Sequence, residues 1–147
     1  MIAVTRRYAF PAAHALRHRS FSEAENRRVY GKCAHPGGHG HDYGIEVTVA
    51  GPVDARAGRL IDPDLLDEIF EENIGSRFSH CLLNDDPIFQ ERVPTAENFA
   101  EAIYAGLAEP VAELSTARVV GVRVVETRRN SFSYGDCGDT GSLGDRG

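Results

Sequence analysis

The chain has 147 residues, 41% of them hydrophobic and 26% charged, with a formal net charge of −6. That is the length of one domain and the composition of an ordinary globular protein, with no apolar run near the ~20 residues a membrane helix needs. The acidic balance weighs against general nucleic-acid binding, which requires a cationic face. The start, M-I-A-V-T-R-R-Y, lacks the long apolar core of a secretory signal. Three cysteines, Cys33, Cys81 and Cys137, suit free thiols in a reducing cytoplasm better than a disulfide framework.

Ile2 to Phe10 reads as a strand, with Ile2, Val4, Tyr8 and Phe10 on one parity and Thr5 and Arg7 on the other. Pro11 is expected to end that strand or mark it as an edge. If the backbone stays extended, His14 keeps the parity of Tyr8 and Phe10. Arg17 to Lys32 is polar and reads as a long loop with a helical turn started by Ser22. Pro36, Gly37, Gly38 and Gly40 lead into a strand from about His41 to Gly51. Along it His39, His41, Tyr43, Ile45, Val47 and Val49 share one parity, so two histidines open the buried face.

A helix is predicted over Asp62 to Gly75, with Asp62 as cap, Pro63 in the first position and Gly75 as the stop. A connection holding Ser79-His80-Cys81 and Asn84-Asp85-Asp86-Pro87 follows. Thr95 then caps a second helix to about Ala108, with Pro110 beyond its end. Ala117 to Thr127 is a strand with Val120, Val122 and Val124 on one face and Glu126 in line with them. Arg128 to Ser131 turns the chain into a return strand from Phe132 to Tyr134. The glycine-rich tail, 135–147, is expected to be disordered, which leaves 1–134 as the single folded domain. The order ββααββ predicts an α+β fold, an antiparallel four-stranded sheet with two helices on one face.

All six histidines fall between His14 and His80, and G-K-C-A-H-P-G-G-H-G-H-D-Y packs three of them beside Cys33. A lone histidine needs no explanation beyond the surface or a satisfied core. An H-x-H pair opening an apolar strand face, with His14 reaching the same space, points to a zinc ion on His14, His39 and His41. Cys33 fits two roles: a thiolate catalyst beside that ion, or a fourth ligand with His35, His39 and His41 in a closed structural site. His80 is a candidate acid/base group near Asp85 and Asp86, or an ordinary loop residue. Glu126 can accept hydrogen bonds from a substrate's N–H groups, or pair with an arginine such as Arg128. Glu97, in the first turn of the second helix, has a simple helix-dipole explanation.

The segments F-P-A-A-H (Phe10 to His14), S-x-x-E-N (Ser22 to Asn26), Y-G-K-C (Tyr30 to Cys33), G-H-G-H-D-Y (Gly38 to Tyr43), P-T-A-E-N (Pro94 to Asn98) and V-E-T (Val125 to Thr127) are together highly specific. On them the chain resembles the 6-pyruvoyl tetrahydropterin synthase family, which includes the 6-carboxytetrahydropterin synthases of queuosine biosynthesis. The match spans about Tyr8 to Tyr134 and is closer to the 6-pyruvoyl branch. The resemblance implies the tunnelling fold, with trimers stacked into a homo-hexamer and sites between subunits. It implies zinc on His14, His39 and His41, Cys33 as general base, Glu126 anchoring a pterin ring with Thr95 and Glu97 near it, and His80 in a proton relay. The implied substrate is 7,8-dihydroneopterin triphosphate, which loses triphosphate to give 6-pyruvoyl-tetrahydropterin. Arg17, Arg19, Arg27 and Arg28 are candidates to neutralise the phosphates.

One departure stands out. The family carries an aspartate before the histidine that aligns with His80, and this chain has Ser79. A hydroxyl orients an imidazole without supplying charge. Three readings follow: the 6-pyruvoyl lyase, with Asp85 or Asp86 replacing the aspartate or with slower turnover; a related enzyme that cleaves the pterin side chain; and a zinc-stabilised pterin-binding protein without turnover.

Overall fold

The computed structural model describes residues 1–137. Four strands form one antiparallel sheet in sequential order: β1 (Ile2–His14), β2 (His39–Gly51), β3 (Arg118–Val125) and β4 (Ser131–Gly135). Helix α1 (Glu23–Tyr30) lies between β1 and β2. Helices α2 (Pro63–Phe70) and α4 (Ala96–Leu114) lie between β2 and β3, with the single turn α3 (Ser76–Phe78) between them. The predicted ββααββ order is present, enlarged by α1. Ser22 caps that helix by accepting from the Glu25 N–H.

The sheet forms because its inward positions are apolar. Tyr43, Ile45, Val47 and Val49 alternate along β2 and are fully buried. Against them α4 lays Phe99, Ile103, Leu107 and Val111, spaced four apart and fully buried, and α2 adds Leu66, Ile69 and Phe70. Each such side chain contributes about 1.5–3 kcal/mol on leaving water. Phe99 is central, with its ring edge-on to Tyr43, Phe10 and Phe78.

Four expectations change, and one pair of alternatives is decided: Pro11 marks β1 as an edge strand, which continues to His14. Pro11 faces outward on an edge strand, where its carbonyl accepts from the His80 N–H at 2.7 Å, so its missing N–H costs the ladder with β2 nothing. Gly75 does not stop α2. The chain passes through a π-helical turn, Glu71–Gly75, into α3, and the extra residue brings Ile74 and Phe78 both into the core. Pro110 lies inside α4, because one more turn buries Val111 and offsets much of the ~3 kcal/mol that an interior proline costs.

On β3 the inward residues are Val119, Val122 and Val124, not Val120. The register with β2 slips by one residue between Thr48 and Val49, leaving Val120 as the extra residue of a bulge. Finally, Gly135 closes β4 with a positive φ, and the Asp136 N–H donates to Val120 O, so the start of the supposed tail is paired. The rest of that tail, from residue 138, lies outside the described residues.

Candidate metal centre

The register of the β1–β2 pair builds the centre. His14 lies opposite His39, and Ala12 lies opposite His41. All three histidines take the inward parity, so their rings meet at the end of the core, above Tyr43. The Nε2 atoms of His14 and His39 are 3.0 Å apart, and those of His14 and His41 are 3.2 Å apart. The Nδ1–H of His14 donates to the carbonyl of Pro94 at 2.8 Å. That bond fixes the tautomer and leaves the Nε2 lone pair aimed at the other two rings.

Lone pairs meeting at this distance repel unless a cation lies between them. Two ligands 2.0–2.1 Å from one tetrahedral ion stand about 3.3–3.4 Å apart, close to the spacing seen here. The donor set therefore fits a metal ion. His14, His39 and His41 form a group whose ligand atoms all lie within 4.8 Å of one another, and among the described residues no cysteine or carboxylate joins it.

Burial pulls the pKa of His14 down to about 4, a shift the Pro94 carbonyl opposes and the two neighbouring imidazoles reinforce. Burial also lowers His39, with His41 adding to it. Both rings are thus held neutral, the form that binds metal.

Backbone contacts hold the centre in place. Asn84 clasps the peptide after His14, accepting from Ala15 N–H and donating to Ala15 O, both at 2.8 Å. Gly38 approaches from the loop before β2 with φ +72°, where a Cβ would meet His14 O at 2.9 Å, so only glycine fits.

The other predicted residues surround the centre. Cys33 is half-buried on a 3₁₀ turn, Gly31–Ala34, whose Cys33 carbonyl accepts from the Leu16 N–H at 2.8 Å. It lies outside the group of three. His35 is exposed, and its Nδ1 accepts from Gly37 N–H, so the closed set of Cys33, His35, His39 and His41 does not form.

His80 is tied to β1 through Pro11, and its ring Nδ1 meets the Ser79 hydroxyl at 2.8 Å. It holds φ 61°, a conformation rare outside glycine. His80 and His41 line one cleft of about 470 Å³ with Asp42 and Cys81. Asp86 does not replace the missing aspartate, because both its oxygens take Arg77 at 2.6 Å.

Glu126 sits just past β3 with an oxygen 3.5 Å from His41 Nε2; the alternative pairing with Arg128 is not formed. Burial raises the Glu126 pKa, His41 opposes the rise, and Glu97 adds to it. Thr95 caps α4, accepting from Asn98 N–H at 3.2 Å, and Glu97, itself exposed, follows in the first turn. Of the candidate arginines, Arg19 reaches Glu91, while Arg17 and Arg27 line a separate cleft.

Tyr43, Pro94 and Asn84 were not singled out from the sequence. Tyr43, whose hydroxyl is 3.3 Å from His14 Nδ1, shares the parity of His39 and His41 and was legible there. The contacts of Pro94 and Asn84 join parts of the chain 80 and 69 residues apart, with no local signal.

An antiparallel sheet backed by helices, with three imidazoles at its end that could hold a metal ion, defines an α+β domain with a candidate metal centre. A family model described as 6-pyruvoyl tetrahydropterin synthase matches residues 3–137. The 6-pyruvoyl tetrahydrobiopterin synthases of Poecilia reticulata and Homo sapiens are 37% and 36% identical over 132 residues. That is 89% of this chain in both cases, and 88% and 89% of theirs. The structure of the Caenorhabditis elegans 6-pyruvoyl tetrahydropterin synthase superposes with a TM-score of 0.84 at 31% identity, covering 91% of this chain and 94% of that one. The chain belongs to the 6-pyruvoyl tetrahydropterin synthase family.

Proposed function

We propose that this protein is a zinc-dependent lyase that converts 7,8-dihydroneopterin triphosphate to 6-pyruvoyl-tetrahydropterin with loss of triphosphate. The observation that carries this reading is the convergence of three imidazoles without a thiolate, in a chain of this family. Three histidine ligands suit zinc and leave a place for substrate. When bound, the ion acts as a Lewis acid toward the hydroxyls of the pterin side chain and acidifies the neighbouring C–H and O–H groups.

The chain's own residues do the rest. His14, held through Nδ1 by Pro94, presents a fixed Nε2. Cys33, as thiolate, takes a proton from the substrate side chain. His80, oriented by Ser79, returns a proton. Glu126, in a site dry enough to raise its pKa, accepts the N–H groups of the pterin ring, with Thr95 and Glu97 alongside.

The reading includes a homo-hexamer of two trimers. The sheet supports it with its two edge strands, β1 exposing Ile2 and Val4 and β4 exposing Tyr134. It also includes a cytoplasmic enzyme, supported by three unpaired cysteines. Among the described residues no helix is long and apolar enough to cross a membrane.

The test is product identification from 7,8-dihydroneopterin triphosphate with and without a chelator. Metal-dependent release of triphosphate with a pyruvoyl pterin supports the reading. Equal turnover by metal-stripped protein sinks it. A second reading, cleavage of the side chain, is favoured by one observation: Ser79 supplies no charge to His80. Acetaldehyde or a carboxylated pterin among the products would select it.

A further inference from the structure

The loop that carries His80 lies along the edge of β1. The His80 N–H donates to Pro11 O at 2.7 Å, and the Ala13 N–H donates to Cys81 O at 2.9 Å. Ala13 and Leu82 form a parallel bridge, and Asn84 clasps Ala15 just past the strand. This docking places His80 in the cleft it shares with His41. The backbone of His80 stands at φ 61°, a conformation that persists in a non-glycine residue only where its surroundings impose it. Ser79 rides on the same loop, so its hydroxyl orients the ring relative to the loop and not the loop relative to β1.

Arg77 and Asp86 stand at the two ends of this loop, nine positions apart, and join each other. The Arg77 Nε and Nη2 donate to the two Asp86 oxygens, both at 2.6 Å. The pair is shielded: the Asp86 side chain is 9% exposed and that of Arg77 35%. An exposed pair such as Arg19–Glu91 contributes little, whereas a two-pronged pair drawn out of water is costly to break. Each partner is itself fixed. The Arg77 guanidinium carbon lies 4.6 Å over the ring of Phe78, which is fully buried. Asp86 also accepts from the Ile88 N–H at 3.0 Å, capping the next turn, Pro87–Phe89. The Arg77 hydrogen bonds hold the Asp86 carboxyl below the usual carboxylate range, so the pair is intact at neutral pH.

We propose that Arg77 and Asp86 are positioning residues for His80: their ion pair ties the two ends of the loop together, holds it against β1 and keeps the imidazole in the cleft beside His41. Neither side chain lines that cleft, so both act through the loop. The proton-transfer role of the ring rests on the lyase reading above; its placement by the ion pair does not.

Amide hydrogen exchange of the full chain reads the placement directly, because the His80 N–H is one of the bonds to β1. In Arg77→Gln the His80 and Ala13 amides should lose protection by roughly tenfold to 100-fold, while amides of the central strand, such as that of Val47, keep theirs. Asp86→Asn should act in the same direction, since asparagine can still cap Ile88 but carries no charge. Arg77→Lys, which keeps the charge and loses the fork, should fall between. Turnover of 7,8-dihydroneopterin triphosphate reads the consequence. In Arg77→Gln kcat should fall roughly tenfold with KM and zinc content unchanged. In a His80→Ala background the same substitution should cost nothing further, because there is no ring left to place. Unchanged His80 protection in Arg77→Gln overturns the proposal. So does a kcat loss that adds in full to that of His80→Ala, or a loss of protection spread through the central strand, either of which marks a fold stabiliser and nothing more. A wild-type chain without turnover would sink the lyase reading alone, and the exchange measurements would still decide the placement.

Discussion

The Ser79 hydroxyl lies 2.8 Å from Nδ1 of His80, on a segment whose backbone is fastened to Pro11 three residues before His14. The serine fixes the ring's direction and leaves its charged form unsupported. Replacing it by aspartate adds a counter-charge at the same atom. Ser79→Asp should therefore raise lyase turnover, by up to roughly tenfold, while His80→Ala should lower it at least roughly 100-fold. Steady-state release of triphosphate measures both. Unchanged or slower turnover in Ser79→Asp would count against a relay through His80.

His39→Ala removes one of three ligands and leaves two imidazoles that share no enclosed ion. The variant should purify without stoichiometric zinc and lose turnover. The wild-type chain should gain about 2.7 kcal/mol of stability at a zinc concentration 100 times its dissociation constant. A melting temperature that ignores zinc would show that the three rings do not bind it.

The metal-free chain should weaken in acid. His14 titrates near 6.5 when unfolded and near 4 when folded. Between these values the unfolded chain binds the additional proton. The stability present above pH 6.5 is therefore lost as the pH falls toward 4, by about 3 kcal/mol in all. Urea unfolding of metal-free protein across this interval measures the slope. His14→Phe should flatten it.

Glu126 is offered as an acceptor for ring N–H groups, so Glu126→Gln should cost about 1.5–3 kcal/mol of pterin affinity. Zinc content should stay unchanged, because Glu126 lies outside the ligand group. Equal pterin affinity in the variant would return Glu126 to the lesser role of a partner for His41.

Phe99 is fully buried, and its ring supports Tyr43, which in turn backs His14. Phe99→Ala should destabilise the fold by about 3–5 kcal/mol. Because Tyr43 loses its support, zinc affinity should fall as well. Denaturant unfolding paired with a zinc titration separates the two effects.

Period and parity carried most of the fold. The alternation from His39 to Val49 announced both a strand and the direction of two ligands, and His14 followed from the parity of Tyr8 and Phe10. Errors arose where tertiary burial outweighed a local rule. Pro110 reads as a helix stop until Val111 is seen in the core, and Gly75 reads as a cap until the π turn is seen to place Ile74 and Phe78. Val120 was misassigned because a bulge shifts parity without changing composition. At the centre, the ligands were legible as a motif. The supports Pro94 and Asn84 were not, because a distant carbonyl or amide leaves no periodic trace.

The direct pairing of His14 with His39 in the β1–β2 register has an evolutionary reading. Between Ala15 and Gly38, the residues that brace His14, the chain is excursion. It can lengthen, shorten or re-charge this excursion without disturbing where the two rings meet. A single residue inserted inside either strand would instead turn one ring away from the other. Descendants of this scaffold are thus free to change substrates by rewriting one loop, while the hairpin that carries it remains almost immutable.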